Sequence, residues 1–171
     1  MSGSGLEIER KFLLAAAPAE RSLRSHGAKP AAIEQVYLIR DEGDPRRIRR
    51  IDANGSIRFV LTKKRSLGGI IRREVEHPID AATYDRLLAE ADPTRRPIHK
   101  TRWTWAEAGR TWELDVFEVP PGLTVLEVEL PDPDAVAQPP AWLHVVRDVS
   151  TDSAYTNWSL ARVVPDDEAP A

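Results

Sequence analysis

Acidic and basic side chains recur two positions apart along most of this chain: Glu7, Glu9 and Lys11; Arg47 and Arg49; Arg72, Glu74 and Glu76; Lys100 and Arg102; Glu113 and Asp115; Glu127 and Glu129; Lys64 stands two after the hydroxyl of Thr62. Each sign has its own chemistry. Paired carboxylates offer hard oxygen ligands that suit a divalent cation, whereas Lys and Arg hold phosphate oxygens, Arg in a bidentate fork. Metal and polyphosphate satisfy both at once, because a cation offsets the acids and bridges to phosphates that the bases hold in turn. Burying so many ions is costly unless they pair with one another or with bound ions, so an enclosed version of this set predicts an ionic ligand.

A spacing of two is the period of a β-strand, in which alternate side chains share a face. The other parity is apolar: Ile8 and Phe12, Ile48 with Ile51 nearby, Trp103 and Trp105, Trp112, Leu114 and Val116, and Leu126, Val128 and Leu130. Alternation predicts strands at about 6–13, 35–41, 46–52, 56–64, 69–78, 98–106, 110–118 and 123–130. Asn54-Gly55, Gly68-Gly69 and Ala108-Gly109 are hairpin signals, so neighbouring strands pair antiparallel. Asp80 is placed to cap a helix carrying Tyr84, Leu87 and Leu88 and ending near Asp92-Pro93, with shorter helices expected near 17–26 and 152–161. An open sheet with one wet face would also alternate in this way. Against that reading, Ser, Asn and Gln are nearly missing from the charged positions. If eight strands instead close into a barrel with the apolar side packed outward, the charged face becomes a lumen.

Composition narrows the class. The 171 residues are 42% hydrophobic and 30% charged, which fits one globular domain at 6–163 between a Gly/Ser leader at 1–5 and an acidic tail at 164–171. With no cysteine there is no disulfide framework, thiolate metal site or cysteine nucleophile. No window resembles a membrane span or a signal peptide, so a cytoplasmic protein with no membrane partner is expected. A formal net charge of −3 gives no basic field for nucleic acid. Arginine outnumbers lysine by 19 to 5, through either phosphate recognition or coding bias. The four histidines have no mutual ligand spacing, the tryptophans read as barrel cover, and Pro120-Pro121-Gly122 reads as a rigid turn.

The run Glu7-Ile8-Glu9-Arg10-Lys11-Phe12 resembles the E-x-E-x-K signature of the CYTH superfamily, the triphosphate tunnel metalloenzymes. Gln35-Val36-Tyr37-Leu38, Arg47-Ile48-Arg49, Leu61-Thr62-Lys63-Lys64, Arg72-Arg73-Glu74-Val75-Glu76, Lys100-Thr101-Arg102, Glu113-Leu114-Asp115-Val116-Phe117 and Glu127-Val128-Glu129-Leu130 follow in the family's order. Asp152, Tyr155 and Asn157 resemble its terminal helix motif. The sequence departs from the pattern at Arg65 and Val119, where glycine is usual, and in a last helix whose only nearby base is Arg162.

The resemblance implies a mainly β (α+β) fold, a closed eight-stranded antiparallel β-barrel or tunnel with helices packed outside, and catalysis with Mg2+ or Mn2+. By position it makes Glu7, Glu9 and Glu129 the main metal ligands, with Glu127 and Asp115 as further metal or water ligands. It makes Lys11, Arg47, Arg49, Lys64, Arg72, Lys100 and Arg102 the triphosphate-binding set. Tyr37 with Lys11 is the pair that would position the attacking water, and Tyr37 as a packing tyrosine is the competing reading. Glu74, Glu76 and Glu113 receive no fixed role. The expected activity is hydrolysis of a small triphosphate, inorganic triphosphate first, by a soluble enzyme that could form a homodimer. A class IV type adenylate cyclase, a thiamine triphosphatase and a noncatalytic polyphosphate-binding module are the alternatives.

Overall fold

The computed structural model describes residues 4–40 and 44–163. Among these residues there are nine strands: β1 (Ser4–Leu14), β2 (Lys29–Tyr37), β3 (Arg46–Ala53), β4 (Ser56–Gly68), β5 (Ile71–Ile79), β6 (Ile98–Glu107), β7 (Arg110–Val119), β8 (Thr124–Glu129) and β9 (Val145–Asp148). The order β5-β4-β3-β2-β6-β7-β8-β1 closes on itself because β1 also pairs with β5, giving an eight-stranded antiparallel barrel with β9 added outside the ring. Closure leaves no free edge among the eight.

The three hairpin signals fold as their residues require. Asn54 and Gly55, Ala108 and Gly109, and Gly68 and Gly69 all have positive φ, the backbone that tight turns between twisted strands demand. Several boundaries differ from expectation, among them the end of β4, which runs on to Gly68 and not to 64. The second strand begins at Lys29 and ends at Tyr37, not at 35–41, because Pro30 tolerates a position where β3 pairing, which starts at Ala32, has not yet begun. β1 begins at Ser4, inside the expected leader, and pairs from there with Val75 and Glu74 of β5. The expected acidic tail lies outside the described residues.

β1 is shared between partners. Ser4–Ile8 pair with β5 and Glu9–Leu13 with β8. Beyond Lys11 the edge that β5 has left is taken up by the Lys11 N–H donating to Ser150 Oγ (2.9 Å), and then by β9 against Phe12–Leu14.

The apolar faces point outward and are covered. Helix α1 (Glu20–Ser25) sets Leu23 into a cluster with Phe12, Trp103, Trp112, Leu126 and Leu143, and α2 (Ala81–Leu88) sets Tyr84 and Leu87 over Val36, Leu38 and Ile48. Each large side chain buried in this way contributes roughly 1.5–3 kcal/mol. Asp80 caps α2 by accepting from the Thr83 N–H (2.7 Å), but Leu88 stays 37% exposed and the helix stops there, short of the expected Asp92. The expected helix at 152–161 is split into a 3₁₀ turn (Ser153–Tyr155) and α3 (Asn157–Leu160). Tyr84 donates its hydroxyl to Glu34 Oε1 (3.0 Å), tying α2 to β2. Tyr84→Phe should lower unfolding free energy by about 1 kcal/mol, measured by urea titration, since Glu34 is partly wet and can be resolvated.

Candidate active site

Barrel closure turns the charged parity inward. The lumen is a cavity of about 360 Å³ whose walls carry Glu7, Glu9 and Lys11 from β1, Arg47 and Arg49 from β3, Lys64 from β4, and Glu74 and Glu76 from β5. β6 adds Lys100 and Arg102, β7 adds Glu113, and β8 adds Glu127 and Glu129. The open wet sheet is thereby ruled out. The phase of β3 differs from expectation in one residue: Ile51 lines the cavity with Arg47 and Arg49, joined by Ile33 and Ala31 of β2.

Opposite charges meet in three groups. Asp115, wholly buried, accepts from Lys100 Nζ (2.6 Å), Arg102 Nε (2.7 Å) and Arg102 Nη2 (2.7 Å), and Arg102 extends to Glu113 (2.5 Å) and Glu127 (3.0 Å). Lys11 bridges Glu127 (3.0 Å) and Glu9 (3.3 Å). Lys64 bridges Glu7 (2.6 Å) and Glu74 (3.3 Å), while Arg49 pairs with Glu76 and with Thr62 Oγ1 (3.3 Å).

The pairing is incomplete in ways that point to a ligand. Arg47 and Arg49 are both 8% exposed, yet among the described residues the Nε of each has no hydrogen-bond acceptor, and the Oε1 of Gln35, 1% exposed beside them, has no donor. Buried donors without acceptors are uncommon in folded proteins and mark a place where a partner is missing. On the acidic side, Glu9 lies directly opposite Glu129 across β1 and β8, and Glu113 opposite Glu127 across β7 and β8. Like charges placed directly opposite destabilise a sheet. Glu127 and Glu113 are relieved by Arg102, whereas Glu129, exposed at the rim, makes no ion pair among the described residues.

Burial dominates the titration of these groups. It pushes the Glu7 carboxyl up to about 7 against the attraction of Lys64, with repulsion from Glu9 and Glu74 adding to the rise. It brings the Lys100 ammonium down to about 8 and the Arg49 guanidinium to about 9, the latter helped by repulsion from Arg47 and Arg102. For Lys11, burial is overcome by Glu127 and Glu9, which hold its ammonium above the usual range. For Glu127, burial is overcome by Lys11 and Arg102, which hold the carboxyl well below its ordinary value.

Two expected site residues sit elsewhere. Arg72 donates to the Gly69 (2.7 Å) and Ile71 (3.1 Å) carbonyls of its own hairpin and lines a neighbouring pocket of about 230 Å³, not the lumen. Asp115 has both oxygens occupied by Lys100 and Arg102 and forms no part of the cavity wall. Tyr37 and Lys11 share the smaller pocket with Arg47, and the Tyr37 hydroxyl accepts from Gln35 Nε2 (3.1 Å). Gln35 and Thr62 were not expected as site residues. Their signal was parity: Gln35 stands two from Tyr37, and Thr62 two from Lys64.

The acids fit a hard divalent cation in donor type, being carboxylate oxygens throughout, and in position, since Glu9 faces Glu129 with no base on the latter. Among the described residues, no three acidic or imidazole side chains converge on one point as a ready cage.

The CYTH domain model matches residues 5–143, from β1 through β8 and beyond. The chain belongs to the CYTH domain family. An inorganic triphosphatase of Acetivibrio thermocellus is 34% identical over 159 residues, covering 92% of this chain and 94% of that protein. Among solved structures, the inorganic triphosphatase NE1496 superposes on this CYTH chain with a TM-score of 0.61 at 28% identity, over 93% of this chain and 96% of that one. PH1819 from Pyrococcus horikoshii OT3 shares the fold, with a TM-score of 0.59 at 24% identity over 74% and 78% of the two chains.

Proposed function

We propose that this CYTH protein is a divalent-metal-dependent hydrolase of triphosphates, with inorganic triphosphate as its foremost substrate, converting it with one water to orthophosphate and diphosphate. The observation that carries this reading is the enclosed lumen in which Arg47 and Arg49 hold buried, unpartnered Nε donors opposite a wall of carboxylates. The likeness to a protein named inorganic triphosphatase over nearly its whole length supports the substrate.

In this reading Arg47, Arg49, Lys64, Lys100, Arg102 and Lys11 hold phosphate oxygens, and their charges stabilise the equatorial oxygens as the anhydride breaks. Asp115 is a positioning residue that fixes Lys100 and Arg102 through both of its oxygens. Glu7, Glu9 and Glu129 would hold the cation, with Glu127 beside them. When bound, Mg2+ or Mn2+ would offset phosphate charge. Lys11 and Tyr37, lining one pocket beside the lumen, orient the attacking water. Held charged by Glu127 and Glu9, Lys11 acts as a hydrogen-bond donor and not as a base. Arg72 is kept outside the initial clamp, and its guanidinium would have to leave the Gly69 carbonyl to join it.

The test offers the purified protein, with magnesium or with manganese, inorganic triphosphate, ATP and thiamine triphosphate, and measures orthophosphate, diphosphate and cyclic AMP. Orthophosphate from inorganic triphosphate is the expected product. Cyclic AMP with diphosphate from ATP would replace this reading with a cyclase, and tight binding without any product would replace it with a binding module. Arg49→Gln should raise KM for triphosphate by about tenfold or more, the loss of one charge-assisted contact, with a smaller change in kcat. An unchanged KM and rate would remove Arg49 from the clamp.

A further inference from the structure

On β4 one parity runs Lys64, Thr62, Val60 and Arg58, while Phe59 and Leu61 of the other parity pack outward in the cluster of Tyr84 and Leu87. Six residues of strand rise set Lys64 and Arg58 roughly 20 Å apart. Both line the lumen. Lys64 stands at the mouth that the lumen shares with the smaller pocket, together with Lys11 and Arg47, and Arg58 stands toward the opposite end with Thr104 and Thr111. Arg58 and Thr111 are exposed, so the cavity wall at that end reaches the surface.

Arg58 pairs with Ile51 across β3 and β4, and Arg49 with Val60, which makes Arg58 the diagonal neighbour of Arg49 on the inner face. Diagonal neighbours on one face are close enough for long side chains to meet. Two guanidinium groups placed in this way repel, and Arg58 is among the charges that help to bring the Arg49 guanidinium down to about 9. Nothing protein-borne offsets the outer charge: among the described residues the Arg58 side chain makes no ion pair or hydrogen bond. Of the acids on the same wall, Glu76 accepts from Arg49 and Glu113 from Arg102. The buried Nε of Arg49, for its part, has no acceptor among these residues. A phosphoryl group between the two arginines would accept from both and offset their repulsion. Because Arg58 is exposed, such a group would also keep part of its hydration and avoid the full cost of burying a charge.

We propose that Arg49 and Arg58 together form an outer anion subsite, which takes the phosphoryl unit next to the three held by the clamp. Arg58 is then a specificity-determining residue for linear polyphosphate longer than triphosphate. This rests on the triphosphate reading above, in which six bases already serve three phosphoryl units. Arg58 stands one step past the last of them on the β3–β4 wall, where only a longer chain brings a further unit.

The experiment compares linear tetraphosphate with linear triphosphate as kcat/KM, and in parallel as Kd by titration calorimetry, for the wild-type protein, Arg58→Gln and Arg58→Lys. Arg58→Gln should lower the tetraphosphate-to-triphosphate ratio by about tenfold, the loss of one charge-assisted contact. Arg58→Lys keeps the charge without the fork and should lower it by less. Neither change removes an ion pair or a buried side chain, and thermal melts should match wild type. A ratio that stays at the wild-type value in Arg58→Gln overturns the subsite, and so does an equal loss for both anions, which would make Arg58 a general contributor to the field of the lumen. Wild-type protein that binds triphosphate but not tetraphosphate overturns it as well. Protein that binds both anions and hydrolyses neither would overturn the hydrolase reading instead, and the calorimetric ratio would still decide the role of Arg58.

Discussion

Glu129→Gln yields a folded protein whose turnover of inorganic triphosphate falls by about 10²–10³-fold, the size of effect seen when one strong electrostatic contact to a transition state is removed. The folded state should tolerate the change because Glu129 is exposed at the rim and makes no ion pair among the described residues, so no buried base there is left without its counter-charge. Removing it even relieves the like-charge contact with Glu9 directly across the strand pair. A carboxylate with no partner of its own, facing another carboxylate, earns its place only when a cation binds between them. Thermal melts should therefore match wild type or rise slightly while kcat collapses, and calorimetric binding of magnesium or manganese should weaken. Glu9→Gln should lower turnover in the same way, but with some loss of stability, since Glu9 also pairs with Lys11 at 3.3 Å. Wild-type rates in a folded Glu129→Gln protein would remove this residue from the cation site.

The period-two charge pattern was enough to find the lumen because neither face of the sheet needed help from tertiary context: charge lay on one parity and Trp, Leu and Val on the other. It failed where both parities carry the same mixture. On β3 the outward series is Arg46, Ile48, Arg50 and the inward series Arg47, Arg49, Ile51, so hydropathy could not phase the strand beyond Arg49. The start of β2 was obscured by Pro30, a residue that reads as a break until one sees that its β3 neighbour is missing. β9 had no local signal at all. Val145–Asp148 become a strand only because β5 leaves the edge of β1 after Ile8, and that vacancy is a property of the closed barrel. Roles were harder to read than positions. Asp115 shares a face with Glu113, and nothing in the spacing shows that Lys100 and Arg102 consume both of its oxygens.

That distinction sets the second large effect. Asp115→Asn should destabilise the fold by about 3–5 kcal/mol, as expected when one partner of a buried ion pair is removed and the other is left charged. Asp115 is 0% exposed and Lys100 3%, so water cannot replace the lost charge, and the new amide would point a donor at Lys100 or Arg102 whichever way it turned. The carboxyl of Asp115 is buried, which raises its pKa, but Arg102 and Lys100 together hold it below the ordinary value for aspartate. A carboxyl whose folded pKa is depressed adds stability above its unfolded pKa and loses it as pH falls through the lower, folded one. Wild-type protein should accordingly lose this contribution only on strong acidification, below the usual aspartate range, while Asp115→Asn lacks it at every pH. Urea unfolding at neutral and acid pH should show the two curves converging as the acid limb is approached. Curves that coincide already at neutral pH would mean that Lys100 and Arg102 find other counter-charges in Glu127 and Glu113, and that Asp115 is replaceable in the network; a constant offset at every pH would mean that the loss is not tied to the ionisation of Asp115.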